Sequence, residues 1–258
     1  MDKKVFNTYS QYYDLLYKDK DYLIETNYVI SLIKAYNINT KQILELGCGT
    51  GMHASLLAEH GYKVEGIDLS QTMLEMALER QRKSSIEVSE SLSFYEGDIR
   101  NYESSKKFDT IISLFHVISY MTSNEDLNQA FTTVSKNLKS NGIFIFDCWH
   151  GPGVLNDKPI KRTKVFENEK IHITRVATPG LFPDKNCVDV NFDISILSKH
   201  SKKVEKLQEI HRMRYLFTEE LKSISNNHGL EIIHAEEWLT KKPLTEHSWN
   251  ACYVCKHK

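Results

Sequence analysis

The run Ile43-Leu44-Glu45-Leu46-Gly47-Cys48-Gly49-Thr50-Gly51 sets an acid two residues ahead of three alternating glycines. An apolar run bounded by glycines reads as a buried strand, and glycine lets the turn that follows bend sharply and approach a ligand that a Cβ would hold off. Glu45, inside such a strand, costs free energy unless a donor meets it, and a ligand ammonium is a suitable partner. Farther on, Tyr62-Lys63-Val64-Glu65-Gly66-Ile67-Asp68 reads as a second strand ending in an acid. A carboxylate at the tip of the second strand of a βαβ unit can accept hydrogen bonds from both hydroxyls of a ribose. The chemistry implied is the holding of a nucleoside-bearing small molecule. The dinucleotide fingerprint G-x-G-x-x-G or A is not met, because the sixth residue from Gly47 is Met52 and Glu45 stands where a dinucleotide strand carries an apolar group.

The elements that must hold these residues follow from periodicity. Residues 52–60 read as a helix ending at Gly61, and residues 70–82 as a helix capped by Ser70 with Met73 and Met76 as core. Residues 83–93 are rich in Ser and Glu and read as an exposed loop. Further strands are expected at 92–96, 108–115 and 142–147, the last after an Asn141-Gly142 turn signal, with a helix over 124–138. This alternation of strand and helix predicts a parallel sheet covered on both faces. The rhythm breaks after Asp147: Pro152, Pro159, Pro179 and Pro183 appear, and residues 188–196 alternate apolar and polar, as antiparallel strands do. A helix opened by Thr218 as cap and ended by Gly229, then strands over 230–238 and 247–256, complete the sheet. At the amino terminus Tyr9, Tyr13 and Tyr17 are spaced to share a helix face, either as packing or as a lid over a ligand, and a helix follows over Tyr22–Tyr36.

Bulk properties exclude several classes. The 258 residues suit one domain, or one domain carrying an insertion, and 33 basic against 34 acidic residues leave a formal charge of -1, without the basic footprint of a nucleic-acid binder. The apolar runs are shorter than the ~20 residues a bilayer span needs, so no membrane association is expected, and the cytoplasm is the expected compartment. Cys48, Cys148, Cys187, Cys252 and Cys255 are scattered and odd in number, which fits a reducing compartment rather than a disulfide framework. Cys252 and Cys255 form a lone CxxC in a strand-like run, where positions three apart point to opposite faces, so no metal site is expected.

Four ordered pieces, Glu45 to Gly51, Gly66-Ile67-Asp68-Leu69-Ser70, Gly97-Asp98-Ile99 and Leu114-Phe115, resemble the class I S-adenosylmethionine-dependent methyltransferases over about residues 40 to 150. The resemblance implies an α/β fold: a Rossmann-like seven-stranded, mostly parallel sheet with helices on both faces and an antiparallel β insertion after strand 5. The cofactor-binding domain would be residues 1–148 plus 216–258, and the insertion, residues 149–215, a substrate or oligomer subdomain. It further implies S-adenosyl-L-methionine as cofactor: Glu45 with Gly47, Cys48, Gly49 and Gly51 on the methionyl part, Asp68 on the ribose, Leu69 on an adenine face, Asp98 and the Ile99 amide on the adenine edge, and Phe115 at the mouth. The head of the chain, with Tyr13-Asp14, Tyr17, Lys20-Asp21-Tyr22 and Glu25, is similar to bacterial nucleotide-sugar methyltransferases that dimethylate the amine of dTDP-amino-sugars. That similarity implies that Tyr13 and Tyr22 close on the cofactor.

Methyl transfer is an in-line displacement, so the protein's main task is alignment, and a base near the nucleophile frees its lone pair. His116 and Tyr120 are the principal candidates, with His150 and His211 farther along; Arg175, Arg212 and Arg214 are candidates to meet a substrate pyrophosphate. The amino-sugar enzymes carry a His near the position of Tyr120, which leaves N- and O-methylation of a sugar both open. The function expected is methylation of a small polar acceptor, a nucleotide-linked or carbohydrate sugar, in a possible homodimer. A methyltransferase for another metabolite such as an amino acid, and a non-catalytic cofactor-binding module, are the alternatives.

Overall fold

The computed structural model describes residues 10–258, with side chains from Tyr12 onward. Tyr9 lies outside the described residues. The chain runs through α1 (Ser10–Leu16), α2 (Tyr22–Tyr36), β1 (Gln42–Leu46), α3 (Met52–Glu59), β2 (Lys63–Asp68), α4 (Gln71–Lys83), α5 (Ile86–Glu90) and β3 (Leu92–Glu96). There follow β4 (Phe108–Ser113), a 3-10 turn (Val117–Tyr120), α6 (Asn124–Asn137), β5 (Leu138–Trp149) and α7 (Gly151–Asn156). The remainder is β6 (Arg162–Glu167), β7 (Ile171–Phe182), β8 (Cys187–Ser198), β9 (Val204–Arg214), α8 (Thr218–Asn227), β10 (Leu230–Glu237) and β11 (Asn250–His257).

Seven strands form one sheet in the order β10-β11-β5-β4-β1-β2-β3, and β6, β7, β8 and β9 form a second, wholly antiparallel sheet. In the first sheet β11 alone runs against its neighbours. One face is covered by α6 and α8 through Phe131, Val134, Leu221 and Ile224; the other by α2, α3 and α4 through Val29, Ile33, Leu57 and Leu74. Because strand side chains alternate, Cys252 joins the second cluster and Cys255 the first, and all five cysteines are buried and free.

The helix starts follow side-chain caps: Asp21 accepts from the Ile24 amide at 2.9 Å, Ser70 from Met73 at 3.4 Å and Ser123 from Asp126 at 3.0 Å. Three local expectations are corrected. The expected loop at 83–93 contains α5, capped by Ser85 and burying none of its residues, which is why no apolar periodicity marked it. Asn141-Gly142 does not turn the chain but lies inside β5, where a Cβ on Gly142 would sit 2.6 Å from the Leu138 side chain and 3.0 Å from the Asp109 carbonyl oxygen. Thr218 is the first helical residue of α8 rather than its cap, and its hydroxyl lies 2.9 Å from that of Tyr253.

The helix α1 rests on the second sheet. Leu16 packs with Phe166, Ile173, Ile194 and Ile196, and Tyr12, Tyr13 and Tyr17 border that cluster. The amino-terminal tyrosines are thereby carried over the C-terminal ends of the parallel strands, where open α/β sheets hold ligands.

Candidate active site

The turn after β1 is tied to the end of β2: the amides of Gly47 and Cys48 both donate to the Ile67 carbonyl, at 2.8 and 2.9 Å. Gly47, Gly49 and Gly51 all take positive φ, at 77°, 53° and 72°. A Cβ on Gly47 would lie 2.7 Å from the Val117 side chain, and one on Gly51 2.9 Å from Phe94. One on Gly49 would meet nothing within 4 Å, and Gly49 lines a cavity of about 600 Å³. Asp68 braces this turn, with Oδ2 accepting from the Gly49 amide at 2.8 Å and Oδ1 from Ser70 at 2.9 Å. Burial raises its carboxyl above the usual carboxylate range, against the pull of the amides.

Of the residues expected to hold a cofactor, Tyr13, Tyr22, Gly47, Cys48, Gly49, Asp68, Leu69, Asp98, Ile99 and Phe115 line this cavity, as do His116 and Tyr120. Glu45 and Gly51 do not. Gly51 starts α3 and turns toward Phe94 and Ala77. Glu45 is 1% exposed, and its Oε2 has no hydrogen-bond partner among the described residues. Burial and the neighbouring Asp68 push its carboxyl up to about 8. It is linked to the cavity through His53, whose Nδ1 lies 3.7 Å from Glu45 Oε1 and whose Nε2 lies 2.8 Å from Glu25 Oε2; Glu25 in turn pairs with Lys20. His53 and Met73 line the cavity although neither was expected to, Met73 having been read from its spacing as core alone. Asp98 is held by Arg100, which also reaches Asp126 at 2.8 Å. Burial works against ionisation of Asp98, but the Arg100 contacts win and keep its carboxyl below the usual range.

The amino-terminal segment at this end is fastened by charge and rings. Asp14 accepts from the Thr50 hydroxyl at 3.0 Å and pairs with Arg80 at 2.8 Å, fixing α1 to the glycine turn. Tyr13 and Tyr17 share a face, with ring centroids 4.6 Å apart, and Tyr17 meets Phe115 edge-on at 5.1 Å. The Lys20 ammonium sits 4.1 Å from the Phe115 ring centroid.

The far end of the cavity is built by the second sheet and by the chain after β4. Phe115 and His116 both adopt left-handed backbone, φ 65° and 64°, a strained pair that bends the chain across the cavity. The His116 amide donates to Asp147 Oδ2 at 3.1 Å, and Nδ1 lies 2.6 Å from the same oxygen, off the ring's hydrogen-bonding axis. The Tyr120 hydroxyl lies 2.7 Å from His211 Nδ1, and His211 Nε2 lies 3.0 Å from Glu209 Oε2. His150 is buried against the Ser248 carbonyl and does not line the cavity.

The arginines expected to meet a pyrophosphate are engaged within the chain. Arg212 makes a two-pronged pair with Asp189, Arg214 pairs with Glu220, and Arg175 is buried over the rings of Tyr17, Phe166 and Phe192 at 5.1–5.3 Å. The cations that do line the cavity are Arg162 and Lys164 of β6, both exposed and in no ion pair with any described residue. Their i, i+2 spacing on a strand puts both on one face, a signal available in the sequence.

Residues 43–142 match the methyltransferase domain family. The chain carries a methyltransferase domain. The chain is 22% identical to a dTDP-3-amino-3,4,6-trideoxy-α-D-glucopyranose N,N-dimethyltransferase of Streptomyces venezuelae, over 87% of this chain and 90% of the relative. Among solved structures, an S-adenosylmethionine-dependent methyltransferase from Clostridium acetobutylicum superposes with a TM-score of 0.79 at 22% identity, covering 98% of each chain. CalS10, an amino pentose methyltransferase from Micromonospora echinaspora, gives 0.76 at 19% identity over the whole of both chains. These likenesses extend across the seven-stranded sheet and the second sheet alike.

The CalS10 structure is of that protein with S-adenosylmethionine bound. The residues of this chain fit that cofactor: Gly49 leaves open space at the turn, and Asp68 and Asp98 offer carboxylates at successive strand ends beside the cavity.

Proposed function

We propose that this methyltransferase methylates an amine or hydroxyl of a nucleotide-linked sugar. The observation that carries this reading is the presence in the cavity lining of Arg162 and Lys164, two cations on one face of β6 that pair with no described residue. A diphosphate is the acceptor group that two adjacent exposed cations suit best, since charge-assisted hydrogen bonds to phosphate are short and strong. The similarity to enzymes named for dTDP-amino-sugar and amino-pentose methylation supports the same reading. Phe192, Trp149 and Trp249 line the cavity too, giving faces against which a sugar or base can rest.

When bound, S-adenosyl-L-methionine supplies an electrophilic methyl group on a sulfonium. Within this reading, the glycine turn and Asp68 hold the donor's amino-acid end and ribose, Leu69, Asp98 and Ile99 its adenine, while Tyr13 and Tyr22 close over it. Phe115, bent across the cavity, divides donor from acceptor. The chain's contribution is then alignment, worth several kcal/mol or more in a two-substrate displacement. Residues 149–215 act as the acceptor subdomain on a donor domain formed by 1–148 plus 216–258, and an edge of the second sheet is available for pairing in a homodimer. A nucleotide-sugar acceptor and five free cysteines suit a cytoplasmic setting.

Incubation with methyl-labelled S-adenosyl-L-methionine and dTDP-3-amino-3,4,6-trideoxy-α-D-glucopyranose tests the reading. Label is expected in the nucleotide sugar, with much less in the same amino sugar lacking its nucleotide. Transfer to a free amino acid, with none to the nucleotide sugar, overturns it.

A further inference from the structure

We infer that Tyr120, His211 and Glu209 form a proton relay across the acceptor end of the cavity, with Tyr120 taking the proton that the nucleophile sheds and His211 of the second sheet taking the proton of Tyr120. This rests on the methyl-transfer reading above and adds to it the residues that carry the proton away.

The geometry assigns the roles. A carboxylate only accepts, so Glu209 Oε2 at 3.0 Å fixes the His211 proton on Nε2. Nδ1 is then the ring's acceptor, and the Tyr120 hydroxyl at 2.7 Å must donate to it. A hydroxyl committed as donor to Nδ1 can only accept from whatever else reaches it, and Tyr120 and His211 both line the cavity. His211 is 5% exposed and held edge-on by Phe192 with centroids 5.0 Å apart, so its ring is fixed in this orientation. Tyr120 comes from the 3-10 turn after β4 and His211 from β9, so the pair joins the two sheets across the cavity.

Burial holds Tyr120 as a neutral phenol, reinforced by Tyr17, Glu209 and Asp68. A neutral phenol is a weak base by itself, and it becomes a competent one when its own proton can leave as another arrives. The balance is closed. The acceptor's lone pair forms the bond to the methyl carbon and the carbon–sulfur pair stays on sulfur; the acceptor's proton moves to Tyr120 Oη as the Tyr120 proton moves to Nδ1. The resulting imidazolium is paired with Glu209 and returns its proton to water. Tyr120 touches the nucleophile in this scheme, and His211 and Glu209 are positioning residues that act through it. The groups whose charge bears on the relay are Glu209 on β9, Tyr17 in the turn after α1, Asp68 on β2 and the cations Arg162 and Lys164 on β6.

Two arms test the relay on the full-length protein. With the dTDP-amino sugar as acceptor, Tyr120→Phe and His211→Gln are each expected to lower kcat about 100-fold with the KM for the donor within two-fold, and the double variant to be no slower than the worse single one. The pH dependence of kcat is expected to differ between the wild type and His211→Gln. A His211→Gln enzyme with wild-type kcat and pH profile, or additive losses in the double variant, overturns the relay. In the second arm, nitrogen-15 NMR of the protein with S-adenosylhomocysteine should show His211 protonated at Nε2, with an Nδ1 resonance that moves in Tyr120→Phe. The opposite tautomer, or an Nδ1 indifferent to Tyr120, overturns it. A wild type inactive on this acceptor removes the acceptor reading alone, and the relay then stands or falls by the NMR arm.

Discussion

The two ends of the cavity are built on different plans. The end at the glycine turn, which the proposed function gives to the donor, is made by backbone: three glycines at positive φ, two amides on one carbonyl, and a carboxylate receiving two further amides, all within β1, β2 and the turns after them. The part proposed for the acceptor is made by side chains from remote segments, with Tyr120, His211, Arg162 and Trp249 lining the cavity from four separate elements or loops. Backbone cradles suit a ligand that does not vary, because the position of the amides depends little on side-chain identity. An end assembled from side chains on an inserted sheet can change its ligand without disturbing the first sheet.

The comparison is most severely tested at Asp68. Asp68→Ala removes the brace of the Gly49 and Ser70 amides together with the proposed ribose contact, and is expected to weaken S-adenosylhomocysteine binding about 100-fold in calorimetry, the loss of two charge-assisted bonds. Unchanged affinity would break the assignment of the donor end. Reversing both cations, Arg162→Glu with Lys164→Glu, is expected to raise the KM for the nucleotide sugar about ten-fold or more while leaving donor affinity within two-fold. Equal damage to donor and acceptor binding would mean that the two ends are not separable.

The smallest effect is a pH dependence at Glu45. Its folded carboxyl, pushed up to about 8 by burial and Asp68, binds a proton that the unfolded chain gives up near the usual carboxylate range. The folded state therefore holds more protons between the ordinary carboxylate range and about pH 8, and stability falls as pH rises through that window. His53, whose imidazole burial pulls down, contributes the opposite slope below its ordinary range. Glu45→Gln isolates the first: its melting temperature is expected to exceed that of the wild type at pH 8 and to converge with it near pH 5, by about 2–4 °C for each 1 kcal/mol. A difference that does not change with pH would show that Glu45 is already ionised in the folded protein without ligand.

The same contrast governs how much was legible beforehand. Gly47, Gly49 and Asp68 could be read because each is a residue type at a fixed distance from a strand end, and the strands announce themselves by apolar runs, whereas Asp98 came with the family resemblance. Glu45 was legible as a buried acid but not as one set behind His53, since that depends on how α3 lies against β1. Arg175, Arg212 and Arg214 looked as available as Arg162, because partners such as Asp189, Glu220 and Phe192 come into reach only when β8, β9 and α8 assemble. The α5 turn had no apolar face to betray it.

From the chain alone came the alternating α/β order, the inserted antiparallel strands and a site for a nucleoside-bearing ligand, all consequences of local spacing and of conformations that only glycine adopts easily; the identity of the donor is what the family resemblance implies. Tertiary structure alone decided which cations remain unpaired at the cavity, that α1 is fastened over it by Asp14 and Arg80, and that Tyr120 meets a histidine 91 positions away. Spacing along a chain fixes neighbours within one element, whereas a proton relay or a charge pair is set by distances of about 3 Å between elements, which no spacing encodes.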